Sequence, residues 1–580
     1  GTFATTGAAT INGASTATAT VNITMNTCSF TSGGLLTIAG GTTGGNITFT
    51  TTTGVLTASA GVTFTGTAAR NVLNIGSGNF NLTGTLGSGG TLTFDSANTL
   101  YTTGTAAISG AYTIRNFTVS SGTTTLNNVA ITFAGNTVVS GSLVCASATG
   151  LKTFTGTVTV NSGGSFDLSA VATTTRFDSN ITVDSTGTFN SGTGAVTMGT
   201  SLSLLGAGNI SLGGTVTVNS GVTLTNSNTG TVTMGALTIA SPVASNGLSL
   251  TTGSTTNVTG AVTYTANATA NTQTITMNGT ANITAGSLTI NRPTSTGQSN
   301  ITCAASATGA LTVGATGISL QGGNSGVTGS INLTMRDCTL ASSGLIVWGG
   351  VSGGGTINVS FDTGTLTAGA GISFVGIASV NFLTMGANST LNLTGAIPAN
   401  GTLSINASST LVSTGSSSIT GAYTFGNLSI PSGTLSLGGV AVTFAGTTTI
   451  DGSLVSVTSA TGTKTFTGLV TIDPGGVFDM SPVNPVTSFG DGITMDGTTF
   501  NSGSAATIFS ANQNLAGSSN MSFGGAVTIA SGVTLTNNNT GLVNFVSSVT
   551  GGNASSTFAT GSGSTTEFDS TVMSTGTLVP

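Results

Sequence analysis

Residues 110–169 read GAYTIRNFTVSSGTTTLNNVAITFAGNTVVSGSLVCASATGLKTFTGTVTVNSGGSFDLS, and the chain returns to this text about 311 residues later. The segment KTFTG at 152–156 recurs at 464–468, an offset of 312 (464 − 152). The segment GGSFDLS at 163–169 recurs as GGVFDMS at 475–481 with the same offset. Long internal self-similarity is the sequence signature of a repeat architecture. The sequence therefore indicates an array of repeats.

The match extends along nearly the whole chain in the same order. VNITM at 21–25 is echoed by INLTM at 331–335, and SGVTLTN at 220–226 recurs at 531–537. We therefore divide the chain into two tandem copies of a super-repeat of about 311 residues. The first copy is 1–310, and 311–580 is a second, incomplete copy that continues the same fold.

A shorter period lies inside each copy. The runs TVTV at 157–160, NITV at 180–183 and SLSL at 201–204 alternate polar and apolar residues, and their starting positions differ by 23 (180 − 157) and 21 (201 − 180). Alternation over four residues is the period of a β-strand, and the Ser-Gly, Asn-Gly and Gly-Gly pairs between the runs mark turns. Two all-β folds fit evenly spaced short strands, namely a string of β-sandwiches and a β-solenoid.

We favour the solenoid, a parallel β-helix with coils of about 20–23 residues, because this length matches one turn. Inward Val, Ile, Leu, Phe and Ala would form a narrow core, and outward Thr, Ser and Asn would face water. Many phenylalanines occur in a Thr-Phe-x-Gly context, which predicts a stacked internal ladder. The examples are Phe64, Phe133, Phe154, Phe444 and Phe466.

The composition is far from that of an ordinary globular protein. Only 3% of residues are charged, seven basic and thirteen acidic, and histidine is absent, whereas about 25% charged residues is typical. Seven scattered basic residues cannot form the positive stripe that nucleic acid requires. No apolar run reaches the ~18 residues of a membrane span, and no signal peptide is recognisable, so any export signal would already be gone. Solubility through hydroxyl and amide groups suits a secreted, extracellular surface.

The composition and short residue patterns of the chain resemble those of known repeat regions. An example is Thr-Val-Thr-Val-Asn-Ser-Gly-Gly-Ser-Phe-Asp-Leu at 157–168. These are the Gly/Thr/Ser/Asn-rich β-strand-repeat regions of large bacterial secreted surface proteins, the adhesins and autotransporter-like passengers. The resemblance is one of composition and covers the whole chain. It implies an extracellular β-solenoid used in adhesion or as a structural fibre at the cell surface.

Four cysteines are too few for a disulfide scaffold. Cys28 corresponds to Cys338 at an offset of 310 (338 − 28), and Cys303 is the cysteine closest in sequence to Cys338. Two interpretations stay open: small buried hydrophobic residues, or a disulfide between Cys303 and Cys338. If that bridge forms, the matching partner of Cys28 would lie before residue 1, in another chain or in missing sequence. The remaining cysteine, Cys145, corresponds to Ser456 in the second copy.

Acidic residues are the candidates for chemistry, because many β-helix proteins cleave polysaccharides. They form two loose groups, one in each copy: Asp167, Asp178 and Asp184, and Asp473, Asp479, Asp491 and Asp496. A glycosidase needs two carboxylates about 5–10 Å apart, and a lyase base could come only from Lys152 or Lys464. Trp348 is the only tryptophan available to hold a sugar ring. Without histidine there is no Ser-His-Asp triad and no histidine metal site.

We therefore predict no catalytic, cofactor-binding or metal-binding residues, although a weak calcium site among the aspartates stays open. An ice-binding face is disfavoured because the interval between strand starts drifts from 14 (215 − 201) to 25 (262 − 237). The leading expectation is an extracellular structural protein whose copies stack head to tail into a homopolymeric filament, because neither 1–13 nor 570–580 shows a helical pattern or a charge cluster. The same observation also fits a chain that is a segment of a longer array. The alternatives are a surface adhesin that binds glycan or host protein and, more remotely, a polysaccharide-active enzyme.

Overall fold

The structure is a computed structural model of the chain. The residues it describes are 1–13, 19–41, 45–127, 129–146, 150–170, 172–240, 243–291, 293–322, 326–350, 352, 354–457, 462–572 and 575–579.

Nearly all regular structure is β-strand. Strands account for 54% of the chain, and the helical elements among the described residues are two single 3-10 turns, Ala68–Arg70 and Ala378–Val380. Thr, Val, Ile and Phe fill the strands because β-branched and aromatic side chains suit a pleated, half-buried surface. The strands pair in parallel and stack as a β-solenoid of about 24 turns. The predicted fold class is confirmed, and the described strands do not form antiparallel sandwiches.

The chain divides into two compact units. The first holds Gly1–Thr265 and Asn271–Ala285, and the second holds Ala266–Ala270 and Gly286–Pro580. This division follows internal packing and is distinct from the two copies of the sequence repeat.

Strands β1 to β34 belong to the first unit. In chain order they are Thr2–Thr5, Ala9–Asn12, Val21–Met25, Ser29–Ser32, Leu36–Ala39, Ile47–Thr51, Leu56–Ala58, Gly61–Thr65, Asn71–Ile75, Phe80–Leu82, Thr85–Leu86, Thr91–Phe94, Thr99–Thr102, Thr105–Ile108, Thr113–Ile114, Asn116–Val119, Thr123–Leu126, Ile131–Phe133, Thr137–Val139, Ser142–Cys145, Lys152–Phe154, Val158–Val160, Ser165–Asp167, Thr175–Phe177, Ile181–Val183, Thr188–Asn190, Val196–Met198, Leu202–Gly206, Asn209–Val218, Thr223–Asn226, Thr231–Ile239, Asn246–Leu250, Thr255–Tyr264 and Thr272–Met277.

Strand β35, Asn282–Ile290, contains the division point, and strands β36 to β72 belong to the second unit. In chain order β36 to β72 are Gln298–Cys303, Ala310–Val313, Ile318–Gln321, Ile331–Arg336, Thr339–Ser342, Ile346–Gly350, Ile357–Phe361, Thr365–Ala368, Ile372–Gly376, Asn381–Met385, Thr390–Leu393, Ala396–Ile397, Thr402–Ile405, Thr410–Ser413, Ser416–Ile419, Tyr423–Phe425, Asn427–Ile430, Thr434–Leu437, Val442–Phe444, Thr448–Ile450, Ser453–Ser456, Lys464–Phe466, Val470–Ile472, Val477–Asp479, Thr487–Phe489, Ile493–Met495, Thr499–Asn501, Thr507–Phe509, Gln513–Gly517, Met521–Phe523, Val527–Ile529, Thr534–Asn537, Leu542–Phe545, Val549–Gly551, Thr557–Thr560, Thr565–Phe568 and Thr577–Val579.

Each turn of the solenoid contributes strands to three parallel ladders. In the first unit β1, β2 and β3 form one turn, and they pair with β4, β5 and β6 of the next turn. In the second unit β37 and β38 pair in the same way with β40 and β41. A parallel ladder hydrogen-bonds every turn to its neighbours about 4.8 Å away. The fold is therefore held together by contacts between successive turns.

The number of residues per turn varies more than the predicted coil length of about 20–23 residues. Paired positions in adjacent turns differ by only 17 where Thr99 lies opposite Asn116 (116 − 99). They differ by 32 where Ser299 lies opposite Ile331 (331 − 299). The strands keep their register because the extra residues lie in the loops at the corners. Loops on the surface tolerate insertions at little thermodynamic cost.

The core is a column of inward-facing side chains. In the first unit Phe154 stacks on Phe133 and Phe177, with ring centroids 5.0 and 5.3 Å apart. In the second unit Phe466 stacks on Phe444 and Phe489, with both centroid distances 5.6 Å. Their neighbours on the same strands face outward, as strict alternation requires. Most of these outward residues are threonines. The predicted internal phenylalanine ladder is present.

Two equivalent corners require glycine. Gly206 and Gly517 have φ angles of +99° and +109°, which side chains of L-residues rarely adopt. A Cβ atom at these positions would lie 2.0 Å from the carbonyl oxygen of Val183 and 2.2 Å from that of Met495, respectively. These corners pass so close to the neighbouring turn that only glycine fits.

Candidate functional site

A disulfide joins Cys303 to Cys338 in the second unit, with the Cα atoms 6.3 Å apart. Both cysteines are fully buried. Cys303 is the last residue of β36, and Cys338 lies between β39 and β40 of the following turn. The bond thus links two successive turns covalently, and the pairing is the one that the sequence left open.

The other two cysteines lie in the first unit. Cys28 is half-buried and forms no disulfide, although its counterpart Cys338 does. Cys145 is the last residue of β20 and is 1% exposed. The counterpart of Cys145, Ser456, donates a hydrogen bond of 2.9 Å to the carbonyl oxygen of Met480. The two copies therefore use their equivalent positions differently.

Two lysines are buried inside the solenoid at equivalent positions. Lys152 begins β21 and Lys464 begins β57, and both are 0% exposed. The Nζ atom of Lys464 donates hydrogen bonds to the backbone carbonyls of Gly438 and Val440. Backbone oxygens of a loop in the preceding turn thus enclose the ammonium group in place of a carboxylate.

Lys152 is held in the same way. Its Nζ atom donates to the carbonyl of Val129, to that of Gly150 at 3.2 Å and, at 3.5 Å, to that of Asn127. Burial lowers the pKa of Lys152, and the Cys145 thiol opposes this shift. Burial lowers the pKa of Lys464 to about 8. Neither amine lies on an open surface where it could act as the lyase base considered above.

Three aspartates of the second unit form a column that their spacing in the sequence does not reveal. Asp451, Asp473 and Asp496 each follow directly after one of the paired strands β55, β58 and β61. Burial raises the pKa of Asp473, and the charges of Asp451 and Asp496 raise it further. Like charges stacked at the spacing of a parallel ladder repel one another.

The first unit carries a less charged version of this column. The equivalent positions are Ser140, Asn161 and Asp184. The Nδ2 atom of Asn161 donates to Oγ of Ser140 at 2.9 Å. An amide in the middle of the column therefore replaces electrostatic repulsion with a hydrogen bond.

We predict that Asp473→Asn, which copies the first unit, stabilises the second unit modestly. The gain should be less than about 1 kcal/mol, because exposed charges interact weakly, and it should be larger at low ionic strength. Because the folded-state pKa of Asp473 is raised, its carboxylate costs stability at neutral pH, and this cost vanishes as the pH falls below the pKa of the unfolded chain. The gain should therefore be absent near pH 3, as measured by thermal unfolding.

Asp479→Asn is the matched control for this prediction. Oδ1 of Asp479 accepts hydrogen bonds from the backbone N–H and the hydroxyl of Ser481, at 2.9 and 2.6 Å. The loss of a carboxylate there removes an attraction, so this variant should be destabilised. A lower midpoint for Asp473→Asn at low salt would contradict the repulsion.

The remaining candidate acids are engaged locally. Asp178 accepts an ion-paired hydrogen bond of 2.7 Å from Nε of Arg176. Asp167 ends β23 and accepts from the backbone N–H of Ser169 at 2.9 Å. Asp184 follows β25, which belongs to a different ladder from β23, so the structure places these two acids on different sheets. Asp491 accepts from the backbone N–H of Gly492 at 2.7 Å.

Trp348 and three of the four tyrosines lie in the interior, and Tyr101 is half-buried. Trp348 is 0% exposed and packs against Phe374, with ring centroids 5.2 Å apart. Tyr112 and Tyr423 occupy equivalent positions and donate their hydroxyls to the carbonyls of Gly87 and Pro398. Burial raises the pKa of Tyr112 to about 12. These side chains contribute to packing and to the closure of turns.

The second unit also has a shallow polar depression on its surface, lined in part by residues of β61, β64 and β67. Its lining residues include Asp491, Thr494, Asn512, Asn514 and Thr536. Carboxylate, amide and hydroxyl groups are the functions that hydrogen-bond hydroxyl-rich ligands. None of the described residues that line the depression is aromatic.

The described residues contain no group of three or more His, Cys, Asp or Glu side chains placed to hold a metal ion. Among them there is likewise no helix long and apolar enough to cross a membrane. In comparisons with known proteins, no family model, no curated protein and no solved structure matches the chain. What is established is a parallel β-solenoid with Thr- and Asn-rich strands.

Proposed function

We propose that the chain is an extracellular structural protein, a subunit of a surface filament in which copies stack head to tail. The observation that carries the proposal is the parallel stacking of successive turns, which a turn of a second copy could continue with the same ladder hydrogen bonds. In the first unit β1, β2 and β3 each have one described partner strand, and Phe3 on β1 is 57% exposed. In the second unit β72 pairs with β70, and Leu578 and Val579 are each 44% exposed.

A parallel edge strand with apolar side chains is a template for another β-strand. Stacking between different surfaces of two identical copies produces an open, non-closing assembly. The buried disulfide supports an extracellular setting, because disulfides persist in oxidising compartments. The low charge supports a role that depends on packing between β-strands.

Electron microscopy of the purified chain at increasing concentration tests the proposal. We expect filaments whose length grows with concentration, and isolated particles at every concentration would overturn the assignment. Leu578→Lys places a charge on the open edge of β72 and should abolish filaments. Val243→Lys is the matched control, because Val243 is 80% exposed and lies outside the terminal strands. Filaments should survive this control substitution.

The polar depression around Asp491 and Asn514 favours a second candidate function, a surface adhesin that binds glycan. Asn514 lies on β64, and its Oδ1 accepts a hydrogen bond from Nδ2 of Asn538 at 2.7 Å. A glycan-array signal that is lost in Asp491→Ala and kept in Asp178→Ala would support adhesion. An array without signal for the unmodified chain would remove this candidate.

A further inference from the structure

The polar depression of the second unit differs from the same place in the first unit by one missing side chain. In the first unit Asn180 directly precedes β25, and its Oδ1 accepts a hydrogen bond of 2.8 Å from the backbone N–H of Ser203. In the second unit Gly492 takes the place of Asn180, at an offset of 312 (492 − 180). Asn514 takes the place of Ser203, at an offset of 311 (514 − 203). The first unit therefore fills this place with an amide group, and the second unit leaves it open.

The open place lies between a backbone N–H and an apolar side chain. A Cβ atom built on Gly492 would lie 3.7 Å from the backbone nitrogen of Asn514 and 3.4 Å from Cδ1 of Leu469. Because glycine has no side chain, the N–H of Asn514 lacks the acceptor that Asn180 gives to its counterpart. Leu469 is 37% exposed and corresponds to Thr157 in the first unit, so this apolar contact is also specific to the second unit.

A carboxylate completes the arrangement. Asp491 is exposed, lines the depression and corresponds to Ser179 in the first unit. Its Oδ1 accepts a hydrogen bond of 2.7 Å from the backbone N–H of Gly492. An ionised carboxylate has about four acceptor sites on its two oxygens, so Asp491 keeps acceptor capacity for a ligand. The depression thus offers a donor, an apolar contact and an acceptor next to one another.

We propose that the depression binds the acetamido group of N-acetylated amino sugars in a glycan. The acetamido oxygen accepts from the N–H of Asn514, in the place that Oδ1 of Asn180 occupies in the first unit. The acetamido methyl packs on Leu469, and the acetamido N–H donates to the carboxylate of Asp491. The inference rests on the second candidate function, adhesion to glycan, and names the class of sugar that such an adhesin recognises.

The rest of the depression suits a sugar ring better than an acetylated peptide. Its volume of about 480 Å³ is in the range of small-ligand sites. Asn512, Thr534 and Thr536 also line it, and their amide and hydroxyl groups can hydrogen-bond sugar hydroxyls. Oδ1 of Asn512 accepts from the backbone N–H of Thr534 at 2.8 Å, which holds this amide in position. An acetylated lysine side chain has no hydroxyl groups to use these partners.

The experiment titrates the full 580-residue chain with three oligosaccharides of equal length, built from N-acetylglucosamine, glucosamine or glucose, in a calorimeter. The N-acetylated oligomer should bind about tenfold more tightly than the glucose oligomer, because it adds hydrogen bonds and a methyl contact. The ammonium group of glucosamine attracts Asp491 but cannot accept from Asn514. Tighter binding of the glucosamine oligomer would therefore overturn the acetamido site and leave adhesion to glycan standing. Binding of none of the three would also overturn the acetamido site, and the glycan array tests adhesion independently.

Two variants locate the site. Gly492→Asn restores the side chain of the first unit and should weaken binding of the N-acetylated oligomer at least about tenfold. Its Cβ would lie 2.9 Å from the carbonyl oxygen of Asn514, so thermal unfolding must show that the small shift is tolerated. Asp491→Asn leaves the backbone unchanged and should weaken binding about threefold or more, because it removes a charge-assisted hydrogen bond. Asp473→Asn, which removes the same charge outside the depression, should bind like wild type. Full affinity in a folded Gly492→Asn variant, or equal losses in the two aspartate variants, would overturn the site.

Discussion

Replacing Lys464 by alanine is expected to lower the free energy of unfolding by about 3–5 kcal/mol, a loss typical of large-to-small substitutions in a core. Nζ of Lys464 donates to the carbonyls of Gly438 and Val440, and the residue is 0% exposed. Alanine would leave a cavity and two buried carbonyls without a donor. Urea unfolding followed by circular dichroism and by the fluorescence of Trp348 measures the loss.

Lys464→Met separates the shape of the side chain from its charge. Methionine fills most of the space but leaves the carbonyls unsatisfied, so we expect a smaller loss of about 1–3 kcal/mol. A methionine variant as unstable as the alanine variant would show that the ammonium contacts, and not the filled volume, dominate. A wild-type midpoint for the alanine variant would contradict the buried position of Lys464.

The dependence on pH identifies the amine itself. Burial lowers the pKa of Lys464 to about 8, below the ordinary 10.5. Between these values the unfolded chain binds more protons than the folded chain, so stability rises with pH. The free energy of unfolding of wild type should therefore rise relative to that of Lys464→Met as the pH increases from 8 to 9.5. Measurements stay below pH 10 because burial raises the pKa of Tyr112 to about 12, which gives the opposite slope above pH 10.

The buried position of Lys464 follows from the alternation of inward and outward residues along its strand. Period-two alternation places Lys152 on the same face as Phe154, and Lys464 on the same face as Phe466, because each pair is two residues apart. The phenylalanines were correctly predicted to face inward. The two lysines are considered above only as candidate lyase bases, whereas lysine is almost never fully buried. The alternation pattern was the stronger signal here.

Other features depend on contacts between turns that the sequence does not specify. The alternating runs and Gly-rich turns predicted the solenoid, because they follow from local backbone preferences. The column of Asp451, Asp473 and Asp496 arises only once the strand register is known, and register depends on variable corner loops. Those loops also account for the difference in length between the turn that begins at Thr99 and the turn that begins at Ser299.

The same reasoning applies to the cysteines. Cys303 and Cys338 are the candidate pair in the sequence because they are the cysteines closest to each other, 35 residues apart. The structure shows that this separation corresponds to one long turn of the solenoid.

Phe466→Ala should be among the most damaging substitutions in the second unit, at about 3–5 kcal/mol. Phe466 is fully buried, stacks on Phe444 and Phe489, and also meets Phe478 at a centroid distance of 5.4 Å. Its removal deprives three rings in adjacent turns of a neighbour, and aromatic pairs contribute about 0.5–1.5 kcal/mol beyond the area they bury. The measurement is the urea midpoint of the second unit.

Two controls on the same strand decide whether the ladder or the volume matters. Phe466→Leu keeps most of the volume and loses the ring contacts, so it should cost less than the alanine variant but more than the outward substitution Thr465→Ala. Thr465 is half-exposed and lies between two inward residues of β57, so its replacement should change stability by less than about 0.5 kcal/mol. Equal losses for Phe466→Ala and Thr465→Ala would mean that the inward and outward faces of β57 are assigned incorrectly. Because every strand register of the second unit assumes that alternation, such a result would also remove the basis for the Asp473 and Lys464 predictions.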